Sequence, residues 1–448
     1  MMPNKPLFKS FVGAEFFKPL WRFLDLSRFR RNCPALPDEL WLEVGIRRCL
    51  SLFQSGRDFL QNFADHHDTE IFRTTFFESL KSKRRLALLS EILAQTQVQM
   101  RRSLPDPFAA FKCLKDFDLY AGDGHFIAAA SHDKAEPRKT PAQTPAQTPA
   151  QDKTLGRAAA FTATKYATGH LYTLCLRSHC VTHLTVSDQV ERKKEHDMRA
   201  LKRQLTLELR QGAGKGRKVL YIWDRAGIDF LQWFKWKESG IYFLSREKEN
   251  MKLTIVGIHP FDRADPINQG VLSDEIVATS VGVTVRRVIY QDPETGITYS
   301  YLTNLPPSIP PGIIALLYKC RWDIEKVFDE FKNKLGETKS WASTANAKTC
   351  QARLLCLTHN LMTLMEEKIF RETGIRNEAE TKRKAQTLID RNENSKLKGC
   401  DGLTFLQKAI QRLTQRTVKF IRWLKNHLDT KRSWTQALAR LAKIYATS

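Results

Sequence analysis

The stretch Tyr318-Lys-Cys-Arg321-Trp-Asp-Ile-Glu325-Lys-Val-Phe-Asp-Glu-Phe-Lys332 holds the side chains best suited to chemistry. Wound as one helix at roughly 100° per residue, with Tyr318 as zero, it puts Arg321 near −60°, Glu325 near −20° and Lys332 near −40°. A phenol, two cations and a carboxylate then share one narrow stripe. Ile324, Val327 and Phe331 gather at roughly 180–240°, the side on which such a helix packs. Carboxylate oxygens hold hard cations, whereas guanidinium and ammonium groups hold phosphates. The plain alternative is a surface helix whose Arg321–Glu325 pair is worth only about 0.2–0.5 kcal/mol. Against it stand two further acids, Asp123 and Asp224, spaced about a hundred residues apart and each at a strand position.

The elements that must position these acids follow from pattern. Phe117–Asp123 with His125–Ala130 reads as a strand pair or one long strand, and Tyr166–Arg177 and Cys180–Val186 as two more, turning at Ser178-His179. Asp188 to Arg210 predicts a long charged helix with Val190, Met198, Leu201, Leu205 and Leu209 inward. Lys218–Trp223 is a short apolar run of the kind covered on both faces, and it ends at Asp224. Three strands, a helix and a buried strand tipped by a carboxylate fit an RNase H-like α/β core, as they fit other α/β proteins. Ile241–Ser245, Leu253–Gly257, Val283–Tyr290 and Gly296–Leu302 add strands, with Asp292–Thr295 as a hairpin turn.

The division expected is a helical region over 1–112, a catalytic domain over 113–345 and a helical, basic region over 346–448. Within the middle part, 138–152 carries Thr-Pro-Ala-Gln three times, an extended linker because proline at that period joins neither sheet nor helix. Residues 241–310 form a β-rich insertion between the second and third acids. The first region opens a helix at Pro37-Asp38 and carries basic clusters at Lys81–Arg85 and Arg101-Arg102. It reads equally as a DNA-end-binding module or as a packing domain with solvated basic faces.

Charge narrows the partner. Lys and Arg number 72 against 48 Asp and Glu, a net +24 over 448 residues. Such an excess fits a polyanion, because neutralised phosphates release counterions, although a basic surface can also serve solubility alone. No apolar stretch approaches the roughly 20 residues of a membrane span. The nine cysteines form no CxxC pair, so neither a disulfide framework nor a zinc ribbon is expected.

Here a resemblance enters. Tyr-x2-Arg-x3-Glu-x6-Lys, met at Tyr318, Arg321, Glu325 and Lys332, is similar to the third catalytic motif of the insertion-sequence-four group of DDE transposases. Asp123-Gly124 resembles that group's first acid, and Asp224-Arg225-Ala226-Gly227 its second. The likeness spans about residues 113–365, and the Thr-Pro-Ala-Gln tract departs from it.

What the resemblance implies is a bacterial, cytoplasmic, nucleoid-associated enzyme of cut-and-paste DNA transposition. Asp123, Asp224 and Glu325 would hold two Mg²⁺ ions, with Mn²⁺ as a substitute, Asp123 bridging both. Glu325 is expected mobile or swung away without metal, since three crowded acids repel. Tyr318, Arg321 and Lys332 would hold phosphates near the cleaved bond. Tyr299 or Tyr301 would stack a flipped base, against the plainer role of packing within its own sheet. The partners implied are the element's terminal inverted repeats and target double-stranded DNA, bound by a homodimer.

Competing acids are Asp118 and, as the more credible substitute for Glu325, Asp329. His125 and His170 read as polar strand surface rather than metal ligands. The rival functions are an RNase H-like nuclease without strand transfer, a catalytically inactive DNA-binding regulator and an RNA-binding protein.

Overall fold

The computed structural model describes residues 11–51, 55–130, 167–187, 197–293, 295–397 and 416–446. Its centre is a nine-stranded sheet of order β3-β2-β1-β4-β5-β9-β8-β7-β6. The strands are β1 (Phe117–Ala128), β2 (Ala167–Cys175), β3 (Val181–Ser187), β4 (Lys218–Ile222), β5 (Ile241–Arg246), β6 (Leu253–Ile258), β7 (Val271–Thr279), β8 (Thr284–Gln291) and β9 (Thr298–Thr303). The chain is thus mixed α/β.

β1 is a single strand, antiparallel to β2 and parallel to β4. β4 lies between two parallel neighbours, β1 and β5. That central place explains the unbroken run Val219-Leu220-Tyr221-Ile222, each fully buried. The β2–β3 turn falls at Ser178-His179 as expected, with His179 at φ 53°. Strand β3 ends the sheet, and its start is tied down: the amide of Val181 donates to Asn360 Oδ1 at 2.9 Å, and Asn360 Nδ2 donates to the Val181 carbonyl at 3.0 Å. Pairing of this kind removes part of the hazard of a free strand edge.

Two expectations about strands change. The stretch 241–310 divides, because β5 pairs in parallel with β4 and only the strands after it extend the sheet outward, joined back through β9. It also holds a strand not anticipated, β7, whose Ser273, Asp274 and Glu275 conceal the alternation. Asp274 and Glu275 are buried because Arg286 and Arg287 of β8 bind them across the ladder.

The N-terminal helices are α1 (Phe11–Asp25), α2 (Asp38–Cys49), α3 (Gly56–His67), α4 (Arg73–Ser79) and α5 (Lys83–Ser103). Between β3 and β4 lie α6 (Asp197–Lys202) and α7 (Thr206–Leu209), and α8 (Phe230–Glu238) links β4 to β5. After the sheet come α9 (Pro311–Cys320), α10 (Asp323–Asn333), α11 (Ala345–Thr373), α12 (Glu378–Leu397), α13 (Val418–His427) and α14 (Trp434–Ala446). The 29-residue α11 is buried over most of its length because α1, α2, α5 and β3 all pack on it. The helices of 11–103 and 345–446 therefore share one apolar core with the sheet. Among the described residues no helix is long and apolar enough to cross a membrane, and the eight described cysteines are free thiols.

The single helix expected over 188–210 is not what forms. Residues 188–196 lie outside those described, and the remainder is two short helices broken at Leu205. Leu205 is extended and 68% exposed, its amide donating to Glu208 Oε2, so its predicted inward place is wrong. The Thr-Pro-Ala-Gln tract also lies outside the described residues, as do residues 398–415 of the C-terminal region.

One buried ion network fixes α10 from the far end of the chain. Arg416 Nη1 donates to Glu330 Oε1 at 2.6 Å, its Nε to Glu366 at 2.8 Å and its Nη2 to Thr363 at 2.8 Å. Lys334 Nζ reaches the Arg416 carbonyl at 2.9 Å, and His359 Nδ1 sits 2.8 Å from Glu330. Burial raises the Glu330 pKa, but Arg416 and His359 outweigh it and bring the carboxyl from the ordinary 4.5 down to about 2.

A folded-state value below the unfolded one stabilises the protein above the unfolded value and loses that stability as pH falls through the folded one. The shift corresponds to on the order of 3 kcal/mol, present above about pH 5 and lost between about pH 4.5 and 2. Glu330→Gln is therefore expected to lower Tm at pH 7 and to give a flatter acid limb than wild type in thermal melts across that window. Parallel limbs would contradict the assignment.

Candidate active site

The sheet brings the first two acids together by register. β1 and β4 pair in parallel with Ala121 beside Ile222, so two residues further on Asp123, midway along β1, comes beside Asp224, just past the carboxyl end of β4. Ligand sites in α/β sheets lie at such carboxyl ends. Asp123 Oδ1 accepts from the Gly124 amide at 2.8 Å. Asp224 Oδ1 accepts from the Ala226 amide at 2.7 Å, capping the short turn Arg225–Gly227, and its carbonyl accepts from Ser245 Oγ of β5 at 2.7 Å.

Beneath the two acids lies Trp223, 2% exposed. A Cβ on Gly122 would fall 2.5 Å from its ring, and one on Gly227 would fall 2.5 Å from its Cβ. These two glycines let the strand end and the following turn close over a large ring.

The third acid arrives on α10. Ile324, Val327 and Phe331 are buried as the helical stripe requires, while Phe328 stacks on His125 at 4.8 Å. The helix is not continuous with α9. The chain tightens at Arg321-Trp322, where the amides of Arg321, Ile324 and Glu325 donate three residues back rather than four. The stripe drawn on one straight helix is therefore bent at Arg321. Its guanidinium enters the site with Nη1 3.3 Å from Asp123 Oδ2 and Nη2 3.0 Å from Glu325 Oε1. Glu325 is thus tied by Arg321, not swung away.

The charges are strongly coupled. Burial raises the Asp123 pKa most, Arg321 and the Gly124 amide lower it, and the nearby Asp224 and Glu325 charges raise it again, for a net upward shift. Tyr318 is raised chiefly by burial, with Arg321 and Arg246 opposing and the Asp224 charge adding. Asp123, Asp224, Glu325, Tyr318 and Arg321 therefore share one electrostatic site.

The other predicted residues divide. Tyr301 is 1% exposed, its ring centroid 4.9 Å from that of Tyr318 and 6.2 Å from that of Tyr299. It supports the site from within and offers no face to solvent. Tyr299 is half-buried, with the Arg246 guanidinium over its ring at 4.9 Å. Lys332 is exposed near the end of α10, and among the described residues its ammonium pairs with no carboxylate. Of the competing acids, Asp118 is buried against Arg217 and Arg101, and Asp329 faces Asn333 and Lys334. His125 and His170 are not strand surface but buried, His125 against Phe328 of α10 and His170 against His183 of β3, and burial brings the His170 pKa down to about 3. His125 Nε2 lies 3.3 Å from Glu337 Oε2, the carboxylate to which Tyr172 donates.

Arg246 was not anticipated. It follows from the same rule as the acids, because β4 and β5 pair with Ile222 beside Leu244, which puts Arg246 next to Asp224.

As a donor set, three carboxylates suit a hard divalent cation. Each also raises the cost of ionising its neighbours, which is the condition a cation relieves. Among the described residues no group of three such side chains already stands in a metal-holding arrangement, and the gap between Asp123 and Glu325 is filled by the Arg321 guanidinium. The donor chemistry suits such a cation, but the side chains as placed do not form a metal-holding group.

Residues 119–361, over half of the chain, match the model of a family described as the transposase DDE domain. The comparison with curated proteins gives no match.

Gly122→Ala is expected to cost about 1–3 kcal/mol in urea unfolding, since a methyl group overpacks the Trp223 ring. Trp223→Phe in the same chain should return part of that loss. Strict additivity of the two changes would show that the ring is not what requires the glycine.

Proposed function

The chain belongs to the transposase DDE-domain family, and on that premise we propose that it cuts and rejoins DNA at the ends of its own insertion sequence, with Asp123, Asp224 and Glu325 as the catalytic acids. The observation that carries the reading is the parallel register setting Asp123 beside Asp224, with Arg321 linking Asp123 to Glu325. Strand order β3-β2-β1-β4-β5, with four further strands joined through β9, supports an RNase H-like core carrying a β-rich insertion. The Tyr318, Arg321, Glu325 and Lys332 spacing supports membership of the insertion-sequence-four group.

Two Mg²⁺ ions, or Mn²⁺ in their place, would neutralise charge at phosphorus and lower the pKa of the attacking water or 3′-hydroxyl when bound by these carboxylates. The chain's own groups do the rest. Gly124 and Ala226 amides and the Ser245 hydroxyl orient Asp123 and Asp224. Arg321, Arg246 and Lys332 hold phosphate oxygens, with arginine forks suited to two oxygens at once. Tyr318 joins them, and Tyr299, less buried than Tyr301, would stack a displaced base. A net charge of +24 supports a duplex DNA partner. A homodimer on DNA, with the helices of 1–112 or 346–448 reading the ends, completes the proposal for a cytoplasmic enzyme.

The test uses the full chain, Mg²⁺ and duplexes carrying the inverted repeats that flank the coding region. Wild type should nick the repeat and join its labelled 3′ end to plasmid. Glu325→Gln should lower nicking by on the order of a thousandfold while end binding stays near wild type. Nicking without joined product would favour a plain nuclease, and loss of binding together with nicking would make Glu325 structural.

A further inference from the structure

Arg321 does something in the free chain that phosphate binding does not account for. Its side chain is 7% exposed and spans the two carboxylates of different elements, Asp123 on β1 and Glu325 on α10. The guanidinium lies 5.8 Å from the ring centroid of Tyr318 and 5.4 Å from that of Trp322, and its Nε is buried without a hydrogen-bond partner. The chain tightens at Arg321-Trp322, between the helix that ends at Cys320 and the one that carries Glu325.

Arginine cannot shed its charge. A second cation cannot therefore enter between Asp123 and Glu325 while the guanidinium remains there, because it would meet like charge at contact distance and find two carboxylate oxygens already engaged. The unpartnered Nε means that the pair of carboxylates does not satisfy every donor of this side chain. A phosphate, which offers more acceptor oxygens on one centre, is the better partner.

We infer that Arg321 is an internal counterion that closes the carboxylate site in the free chain, so that divalent cations bind weakly until DNA phosphate draws the guanidinium away. Metal and DNA binding are then linked: each favours the same displaced position of Arg321, and by reciprocity each tightens the other. The device keeps the three acids assembled without metal and withholds the metal centre until a phosphodiester is present. It rests on the reading of Asp123, Asp224 and Glu325 as metal ligands.

The test is Mn²⁺ binding to the full chain without DNA, read by loss of the free-ion electron paramagnetic resonance signal. Arg321→Met should bind Mn²⁺ about tenfold or more tighter than wild type, the loss of one close opposing charge being worth a unit or more on this scale. Arg321→Lys, whose single ammonium cannot bridge both carboxylates, should fall between them and serves if the methionine variant folds poorly. Adding Glu325→Gln to either variant should abolish the gain. Equal or weaker Mn²⁺ binding by both Arg321 variants, with a site still sensitive to Glu325→Gln, overturns the counterion role and leaves the metal reading standing. A chain in which no variant shows a Glu325-sensitive site overturns both.

Discussion

Like charges gathered at one end of a sheet need a cation among them. Asp123 and Asp224 cannot be parted, because their strands are hydrogen-bonded neighbours in register. Glu325 is brought to the same place by a helix whose apolar face has nowhere else to pack. Burial raises the pKa of Asp123 most, and the charges of Asp224 and Glu325 add to that rise. Arg321 meets that need within the chain. The rest of the structure can be understood as the means of holding three acids and one guanidinium within reach of each other.

That holding is done by packing more than by charge. Trp223, fully enclosed beneath the acids, fixes the strand end, and the absence of side chains at Gly122 and Gly227 lets the backbone close over it. On the opposite side, α10 lays Phe328 against His125 of β1 and Tyr172 of β2. Its rear is anchored by Glu330 to Arg416, a residue 86 positions away. The helical regions before and after the sheet contribute to one shared core. The position of Glu325 therefore depends on segments at both ends of the chain.

Much of this was legible in the sequence, for physical reasons that can be named. The run before Asp224 is continuous because β4 is covered on both faces, and the stripe Ile324, Val327, Phe331 is helical because one face is buried. What escaped reading was set by partners far along the chain. The buried acids of β7 look like a loop until Arg286 and Arg287 are seen across the ladder. Leu205 looks like a core residue until the turn capped by Glu208 exposes it. The break at Arg321-Trp322 leaves no mark in residue type, and although the stripe already set Arg321 beside Glu325, its bridge to Asp123 was not foreseen. Arg246 was within reach, since the parallel neighbour of the strand leading to Asp224 must bring its own end beside that acid.

The most direct test of the central claim is an anomalous difference map at the manganese edge, from crystals of the chain grown with Mn²⁺ and a duplex oligonucleotide. The account requires peaks bounded by the carboxylates of Asp123, Asp224 and Glu325, with the Arg321 guanidinium turned from them toward a phosphate. Manganese held elsewhere, with Arg321 still bridging Asp123 and Glu325 beside bound DNA, would contradict it.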